Sequence, residues 1–373
     1  MDFTYNEEQR MLTDSLRRLI ADSWSFEQRR KRSQQPGLDA NAWQSLADLG
    51  VSGLLVPEQY EGFGESPATL IAIQFELGRG LVSEPVIPSA VMATILLLSG
   101  SNEQIKAECL PQMAAGSLVC AVAYLEPDQR NQLTPAATQA VASANGFVLD
   151  GKKKLVWQGS SAHKLIVSAV LDGETALFLV PADAAGVALQ DFPTIDGYRC
   201  ASIEFKGVQL PASALIAKGQ AADDALAAAM DYGIAAICAH AAGAMGRLVE
   251  ITAEYLKTRH QFGKPLADFQ VLQHRLADML LHKELAVSMA YVAASALGET
   301  NADERRRLLS SAKVSVAQAG RFIGQNAVQS HGGIGMTDEL DVGDYFKRLT
   351  YTDYLLGDTD FHLKRLEELF DRE

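Results

Sequence analysis

Met11, Leu12, Leu16, Leu19 and Ile20 recur every three or four positions between Glu7 and Ile20, the apolar stripe of a half-buried helix. Ala40 to Leu49 and Pro67 to Leu77 repeat the pattern, and Ser66-Pro67 places a capping hydroxyl before a first-turn proline. Residues 1 to about 114 therefore predict helices, interrupted by a turn-rich link from Val56 to Ser66. From about 116 to 217 the runs become short and β-branched: Leu118 to Ala123, Phe147 to Leu149, Leu165 to Val170, Ala176 to Val180 and Ile203 to Val208. Asn145-Gly146, Asp150-Gly151, Asp172-Gly173 and Asp196-Gly197 stand between them as hairpin-turn dipeptides, which predicts an antiparallel β domain, a sandwich or barrel. Beyond about 218 the helical period returns. Gly233 to Gly246 has no formal charge and is rich in Ala and Gly, the composition of a helix packed closely on several sides. Phe269 to Leu297, Arg305 to Gln329 and Thr352 to Arg372 complete a four-helix bundle. The expected class is α+β, with an N-terminal helical domain over 1–115, a β domain over 116–217 and a helical bundle over 218–373.

A chain of 373 residues with 48% hydrophobic and 21% charged residues suits such a multidomain globular protein. The net charge of −13 argues against a nucleic-acid partner or a polybasic membrane anchor. Cys109, Cys120, Cys200 and Cys238 lie far apart, which signals neither a disulfide framework nor a zinc cluster, so no metal site is expected. The start, Met1 to Tyr5, lacks a basic then apolar leader, and the most apolar stretch, Ala90 to Ser99, is shorter than a membrane span. A cytoplasmic protein without a membrane partner is the expectation.

Two segments depart from what a bundle needs for itself. In Tyr255 to Gln273 a helix ends in Arg259, Gln261 and Phe262, then Gly263 and Pro265 turn the chain into the next helix. Arginine offers a planar fork for phosphate and phenylalanine an apolar face for a flat ring, although an arginine that satisfies its own helix end fits the same residues. In Gln329 to Thr337, Gly332, Gly333 and Gly335 follow a long helix. They permit close backbone approach and free N–H groups for a phosphate, or a plain helix stop.

Together these segments make the chain resemble the acyl-CoA dehydrogenase family over essentially its whole length. The resemblance rests on Glu8-Gln9 in the opening helix and on a P-E-x-Y-G-G-x-G loop at Pro57 to Gly64, with Glu61 for the first glycine. It rests further on R-x-Q-F-G-x-P-L-x-x-F-Q-x-x-Q from Arg259 and Q-x-x-G-G-x-G from Gln329. It implies a flavoenzyme fold in which FAD takes the β-hydride of an acyl-CoA, a carboxylate removes the α-proton, and an electron-transfer flavoprotein carries the electrons away. It also implies that Arg259, Gln261, Phe262, Gln329, Gly332 and Gly333 reach a neighbouring subunit's FAD at its adenosine and pyrophosphate.

The departures run one way. Where most members carry the base, in an E-G-T stretch, this chain has Leu356-Gly357-Asp358-Thr359. Where a minority carry it, on the helix before the Arg motif, the family spacing falls on Gly233. Asp231 and Asp358 each sit two residues away and face elsewhere on a helix, so no catalytic residue is assigned. The flavin-facing T-E-P is Leu125-Glu126-Pro127, and K-x-W-I-T is Lys153 to Trp157 with Leu155 at the Trp position. Trp157 then lies either on the ring or in the β-domain core.

A chain that keeps what it gives a neighbour and loses its own half resembles the smaller subunits of α2β2 acyl-CoA dehydrogenases acting on pimeloyl-type or steroid side-chain CoA esters in lipid or steroid catabolism. The expected partners are a related subunit, an acyl-CoA substrate and an electron-transfer flavoprotein. A self-sufficient homo-oligomer with a displaced base, and a flavin-free interaction subunit, are the competing readings. The face from Arg259 to Gln273 together with the helix Arg305 to Gln329 is expected to form the subunit interface.

Overall fold

The computed structural model describes residues 5–371. Met1 to Thr4, which carry most of the leader reading, and Arg372, the expected end of the last helix, lie outside the described residues.

Helices α1 (Glu7–Ser23), α2 (Phe26–Ser33), α3 (Ala40–Asp48), α4 (Pro67–Arg79), α5 (Thr94–Ser99) and α6 (Glu103–Ala114) form the N-terminal region. Asn6 and Gln9 cap α1 reciprocally, and Ser66 caps α4 before Pro67 as its sequence predicts. A π-helical stretch, Val86–Ala93, runs straight into α5 and is buried throughout, so no polar face marks a period.

The sheet comprises β1 (Cys120–Ala123), β2 (Gln139–Ser143), β3 (Gly146–Trp157), β4 (Lys164–Leu171), β5 (Glu174–Pro181), β6 (Val187–Pro193), β7 (Arg199–Pro211) and β8 (Leu215–Lys218). Their order is β6-β7-β3-β2-β4-β5-β8, with β1 also on β4. The antiparallel expectation holds for the hairpins and fails at β4, whose edge pairs in parallel with β1 at one end and with β2 at the other. Tight turns such as Asp172-Gly173, both residues at positive φ, force antiparallel neighbours. β1 enters from a helix and β2 follows a long loop, so neither is bound by that rule.

The C-terminal helices are α7 (Gln220–Thr258), α8 (Gln270–Ala296), α9 (Ala302–His331), α10 (Val342–Tyr354) and α11 (Thr359–Phe370). The single last helix expected from Thr352 is in fact two. Leu356 and Gly357 take φ of +60° and +100°, which ends α10's path, and Asp358 then caps α11 through the Phe361 N–H at 2.9 Å. Among the described residues α7 alone is long and apolar enough to cross a membrane, but it is mostly buried inside the chain. Its small residues permit this. A Cβ at Gly243 would stand 2.0 Å from the Phe75 carbonyl, and one at Gly78 would stand 1.8 Å from the His240 carbonyl. α4 and α7 thus meet almost backbone to backbone. One apolar core runs through the helices of both ends of the chain, and a second fills the sheet.

A buried polar knot joins these parts. Arg348 of α10 donates from Nε to Asp196 Oδ2 at 2.8 Å, and from Nη1 to the Val82 carbonyl at 3.3 Å and to His240 Nε2 at 2.9 Å. Its guanidinium lies 3.8 Å from the centre of the Tyr198 ring. Burial beside this cation holds His240 neutral, its pKa pushed well down. Arg348→Met would strand the Asp196 carboxylate in the interior and is expected to cost about 3–5 kcal/mol. Adding Asp196→Leu should recover part of that loss. Thermal unfolding of the two variants checks it, and a single variant as stable as wild type would show that the knot is dispensable.

Candidate functional site

The two glycine-bearing segments come together at one end of the bundle. α7 and α9 run parallel: Asp231 meets Arg305 near their starts, and Tyr255 stacks on His331 near their ends, ring centres 4.3 Å apart. Those contacts lie about 36 Å apart along the helices. The Tyr255 hydroxyl also donates to the His331 carbonyl at 3.3 Å. Arg259 lies about one helical turn past Tyr255, and Gly332 directly follows His331, at the same rim.

At that rim the named side chains face outward. Arg259, Gln261, Phe262, Gln329, Gly332 and Gly333 are all exposed, Phe262 to 89%. Among the described residues neither the Arg259 guanidinium nor the Gln329 amide has a hydrogen-bond partner, and a Cβ at Gly332 or Gly333 would meet nothing. The helix-stop role is present as well. Gly332, at φ +67°, turns its N–H back onto the Gln329 and Val328 carbonyls, so this N–H closes α9 and is not free for a phosphate. The alternative role for Arg259 is not seen, because its backbone N–H, not its side chain, closes α7 onto Tyr255.

Apolar exposure near this rim falls on α8, at Val271, Leu280, Leu281 and Leu285. α9, expected to share the interface, is largely covered by α7, α8, α10 and α11. It is the bundle's inner helix, so the open face belongs to α8 and the Phe262 turn.

Inside the same chain lies an apolar chamber of about 270 Å³, walled in part by Met92, Leu125, Leu155, Trp157, Tyr351 and Leu356. Three of these are the flavin-facing positions whose residue types depart from the family pattern. A bulge in β3 between Lys153 and Val156 turns Leu155, at φ +50°, toward this chamber. Trp157 serves both readings open to it: it lines the chamber and packs edge-on against Tyr198, ring centres 5.3 Å apart. Its indole N–H is buried without a partner among the described residues.

The two positions at which the family carries its base converge here. A Cβ on Gly233 would lie 2.9 Å from Leu356 Cδ1 and 3.1 Å from Met92 Sδ. Both positions are apolar, and each fills the other's space. The bend bearing Leu356 is clamped from behind. Lys313 Nζ donates to the Asp353 and Gly357 carbonyls at 3.0 and 2.9 Å, and His362 Nε2 stands 3.1 Å from the Leu356 carbonyl. Burial beside Lys313 pushes the His362 pKa down to about 3, so its ring is neutral.

The neighbouring carboxylates are engaged elsewhere. Asp231 accepts from Arg305 Nε at 2.9 Å. Asp358 caps α11 and pairs with Arg130. Glu126, the surviving residue of the T-E-P pattern, is structural: it accepts the N–H groups of Ala136, Ala137 and Thr138 at 2.7 to 3.0 Å and Lys153 Nζ at 3.0 Å. These donors outweigh its burial and hold its pKa down to about 2.

The residues present therefore fit a flavin unequally. The exposed rim offers a free guanidinium and an amide on open surface, suited to a phosphate-bearing group from outside the chain. The chamber offers leucine where the family's hydroxyl meets the ring edge and no carboxylate at either base position. It does not fit the reacting end.

Comparison with known proteins follows the same lines. The description "Acyl-CoA dehydrogenase, N-terminal domain" matches residues 6–117, and "Acyl-CoA dehydrogenase, C-terminal domain" matches residues 224–368. The acyl-CoA dehydrogenase IpdE2 of Mycolicibacterium smegmatis is 29% identical over 364 residues, 97% of this chain and 98% of that protein. FadE27 of Mycobacterium tuberculosis is 25% identical over 373 residues, 98% of each. Among solved structures, the Tcur3481–Tcur3483 steroid acyl-CoA dehydrogenase aligns at a TM-score of 0.88 with 28% identity over 98% of both chains. The ChsE4–ChsE5 complex of Mycobacterium tuberculosis aligns at 0.89 with 24% identity over 100% of both.

If Asp358 is a cap, asparagine should replace it well and alanine should not. Asp358→Asn is expected to change stability by less than about 1 kcal/mol, since an exposed ion pair contributes little, and Asp358→Ala to cost roughly 1–2 kcal/mol. Chemical denaturation of both variants distinguishes them; equal losses would mean that the carboxylate charge, not the cap, is what matters. Glu126 sets an acid limit. Its folded pKa lies below the ordinary value of 4.5, so its contribution is full above that value and is lost as pH falls through about 2. Glu126→Gln is expected to flatten the acid limb of a melting-temperature profile, and an unchanged limb would move the acid sensitivity to other groups.

Proposed function

The chain belongs to the acyl-CoA dehydrogenase family, and from that premise we propose that it is the non-catalytic, cofactor-contacting subunit of a heteromeric enzyme that desaturates an acyl-CoA at Cα–Cβ. One observation carries the proposal: both family base positions, Gly233 and Leu356, are apolar and lie against each other. A general base must reach its proton at hydrogen-bond distance, and this chain places no free carboxylate there. The partner is a related acyl-CoA dehydrogenase subunit with an intact base, in an α2β2 assembly. The Tcur3481–Tcur3483 and ChsE4–ChsE5 structures, each named for a pair of proteins, support that reading. A steroid or other lipid acyl group is the proposed substrate class, in line with the steroid enzyme among these neighbours.

The cofactor is FAD, which when bound supplies the redox chemistry by accepting the hydride and passing electrons to an electron-transfer flavoprotein. This chain's contribution is to hold and orient. Arg259 binds the pyrophosphate of the partner's FAD with its planar fork, Gln261 and Phe262 give an amide contact and an apolar wall beside the adenosine, and Gln329 with Gly333 and Gly332 borders the phosphates. The outward aim of these residues and their open surroundings support a role across an interface. The apolar residues of α8 are the surface on which the partner sits.

Co-expression with the partner tests the proposal. Arg259→Ala is expected to lower the flavin-to-protein ratio of the complex without unfolding the chain. Arg259→Lys, which keeps the charge but not the fork, should lower it less. A full flavin complement in Arg259→Ala would remove the role across the interface. The chain purified alone is expected to be colourless and unable to reduce a dye with acyl-CoA; a yellow, active preparation would establish the self-sufficient reading instead. Asp231→Asn and Asp358→Asn should leave turnover of the complex within a few-fold, whereas losing a general base costs about 10² to 10⁴ in rate.

A further inference from the structure

The chamber around Leu356 has a second, smaller cavity beside it, and the two differ in chemistry. This neighbour, of about 80 Å³, shares Tyr124, Asn131 and Leu356 with the chamber as common walls. Its other walls include Asp231, Arg306 and Arg365. An apolar compartment therefore adjoins a charged one across three shared side chains.

The charges there do not balance. Arg305 is paired with Asp231, Arg306 with Asp303 and Glu368 with Lys364. Arg365, on α11, has no hydrogen bond or ion pair among the described residues, although it is only partly exposed. Burial and the like charge of Arg306 both work against its proton, with Asp231, Asp303 and Glu368 opposing them. A guanidinium held back from water without a partner is a costly arrangement that an anion would relieve.

We propose that the paired cavities form a binding site for an amphiphilic carboxylate: an apolar chain or ring system in the Leu356 chamber whose free carboxylate lies on Arg365. The inference does not rest on the cross-interface role of Arg259. Three features select this ligand class. The chamber's walls are dominated by leucine, methionine and aromatic side chains, which suit a hydrocarbon body. The guanidinium fork matches a carboxylate with two parallel hydrogen bonds. The surplus is one positive charge beside the Asp231 carboxylate, so a monoanion is matched, whereas a phosphate dianion would bring excess negative charge against Asp231. With no base facing the chamber, the bound molecule is held, not transformed.

Octanoate and 1-octanol share a tail and differ in the charged end, which makes them the probes. Calorimetric titration of the full chain is expected to show one octanoate site per chain, with octanoate binding about tenfold or more tighter than 1-octanol. Arg365→Gln should abolish that preference while leaving octanol binding unchanged, and Arg365→Lys should keep part of it. Leu155→Trp, which fills the chamber from its exposed edge, should weaken both probes alike. The proposal is overturned by equal affinity for the two probes in wild type, by no binding of either, or by a preference that survives Arg365→Gln. Flavin absorbance of the same preparation is read separately. Colour in the isolated chain would defeat the non-catalytic reading above, while the octanoate preference and its dependence on Arg365 would still decide this one.

Discussion

The fold depends on one buried ion pair. Arg348 leaves α10, reaches Asp196 in the turn after β6, and on the way meets the Val82 carbonyl behind α4 and His240 in the middle of α7. Four regions far apart in sequence thereby share one charged centre with almost no exposure. Apolar contact between α4 and α7 draws the helices together, but it is non-directional. A desolvated guanidinium is directional: each donor must find its acceptor or the whole arrangement is penalised. The knot therefore sets where the sheet sits against the bundle, and so where the chamber between them opens. Tyr198 shows the connection directly, since its ring lies against Arg348 on one side and against Trp157 of the chamber on the other.

From that fixed frame the character of the chamber follows. α10 carries both Arg348 and, just past its end at Tyr354, the bend with Leu356. Lys313 holds the carbonyls on either side of that bend, and His362 holds the one at its centre. The backbone at Leu356 is thus over-determined, which is how a non-glycine residue at positive φ persists. The leucine side chain points into the space that a residue larger than glycine at position 233 would claim. The loss of a base is therefore more than two substitutions, because the pair forms a packed contact in which either carboxylate would face an apolar wall.

Much of this was legible in the sequence, and the limits are physical. Amphipathic α1 and α3 declare themselves because one face is wet, and α4 through its Ser66-Pro67 start. The π-helical stretch at Val86–Ala93 is buried on all sides and shows no period, and the polar, exposed α2 shows none either. Hairpins at Asn145-Gly146, Asp172-Gly173 and Asp196-Gly197 were legible, but Asp150-Gly151, expected as a turn, is a bulge inside β3, and the parallel edge of β4 was not legible either, since nothing local encodes which strand a long loop delivers. The break before α11 hides in Leu356-Gly357, where a leucine takes the left-handed conformation that glycine normally signals. At the candidate site, types, spacing and the family resemblance single out Arg259, Gln261, Phe262, Gln329 and Gly333, and the structure brings them to one exposed rim. Gly332 is singled out with them, yet its N–H serves the helix end. Arg365 was invisible, because an arginine on an amphipathic helix carries no mark of whether its partner is present.

The contrast between inside and outside is the last step. Every carboxylate close to the chamber has a fixed use: Asp231 neutralises Arg305, Asp358 caps α11, and Glu126 holds the loop from Ala136 to Thr138. The Arg259 guanidinium at the rim has none among the described residues. An unpaired arginine facing water incurs little penalty, so Arg259 needs no partner within the chain to be stable there. An unpaired arginine partly withdrawn from water, as Arg365 is, is a different matter. The same residue type thus carries two meanings in one molecule. At the rim it is available to another chain's ligand, and beside the chamber it is a charge that this chain's own interior leaves unanswered. Burial, not sequence motif, separates the two.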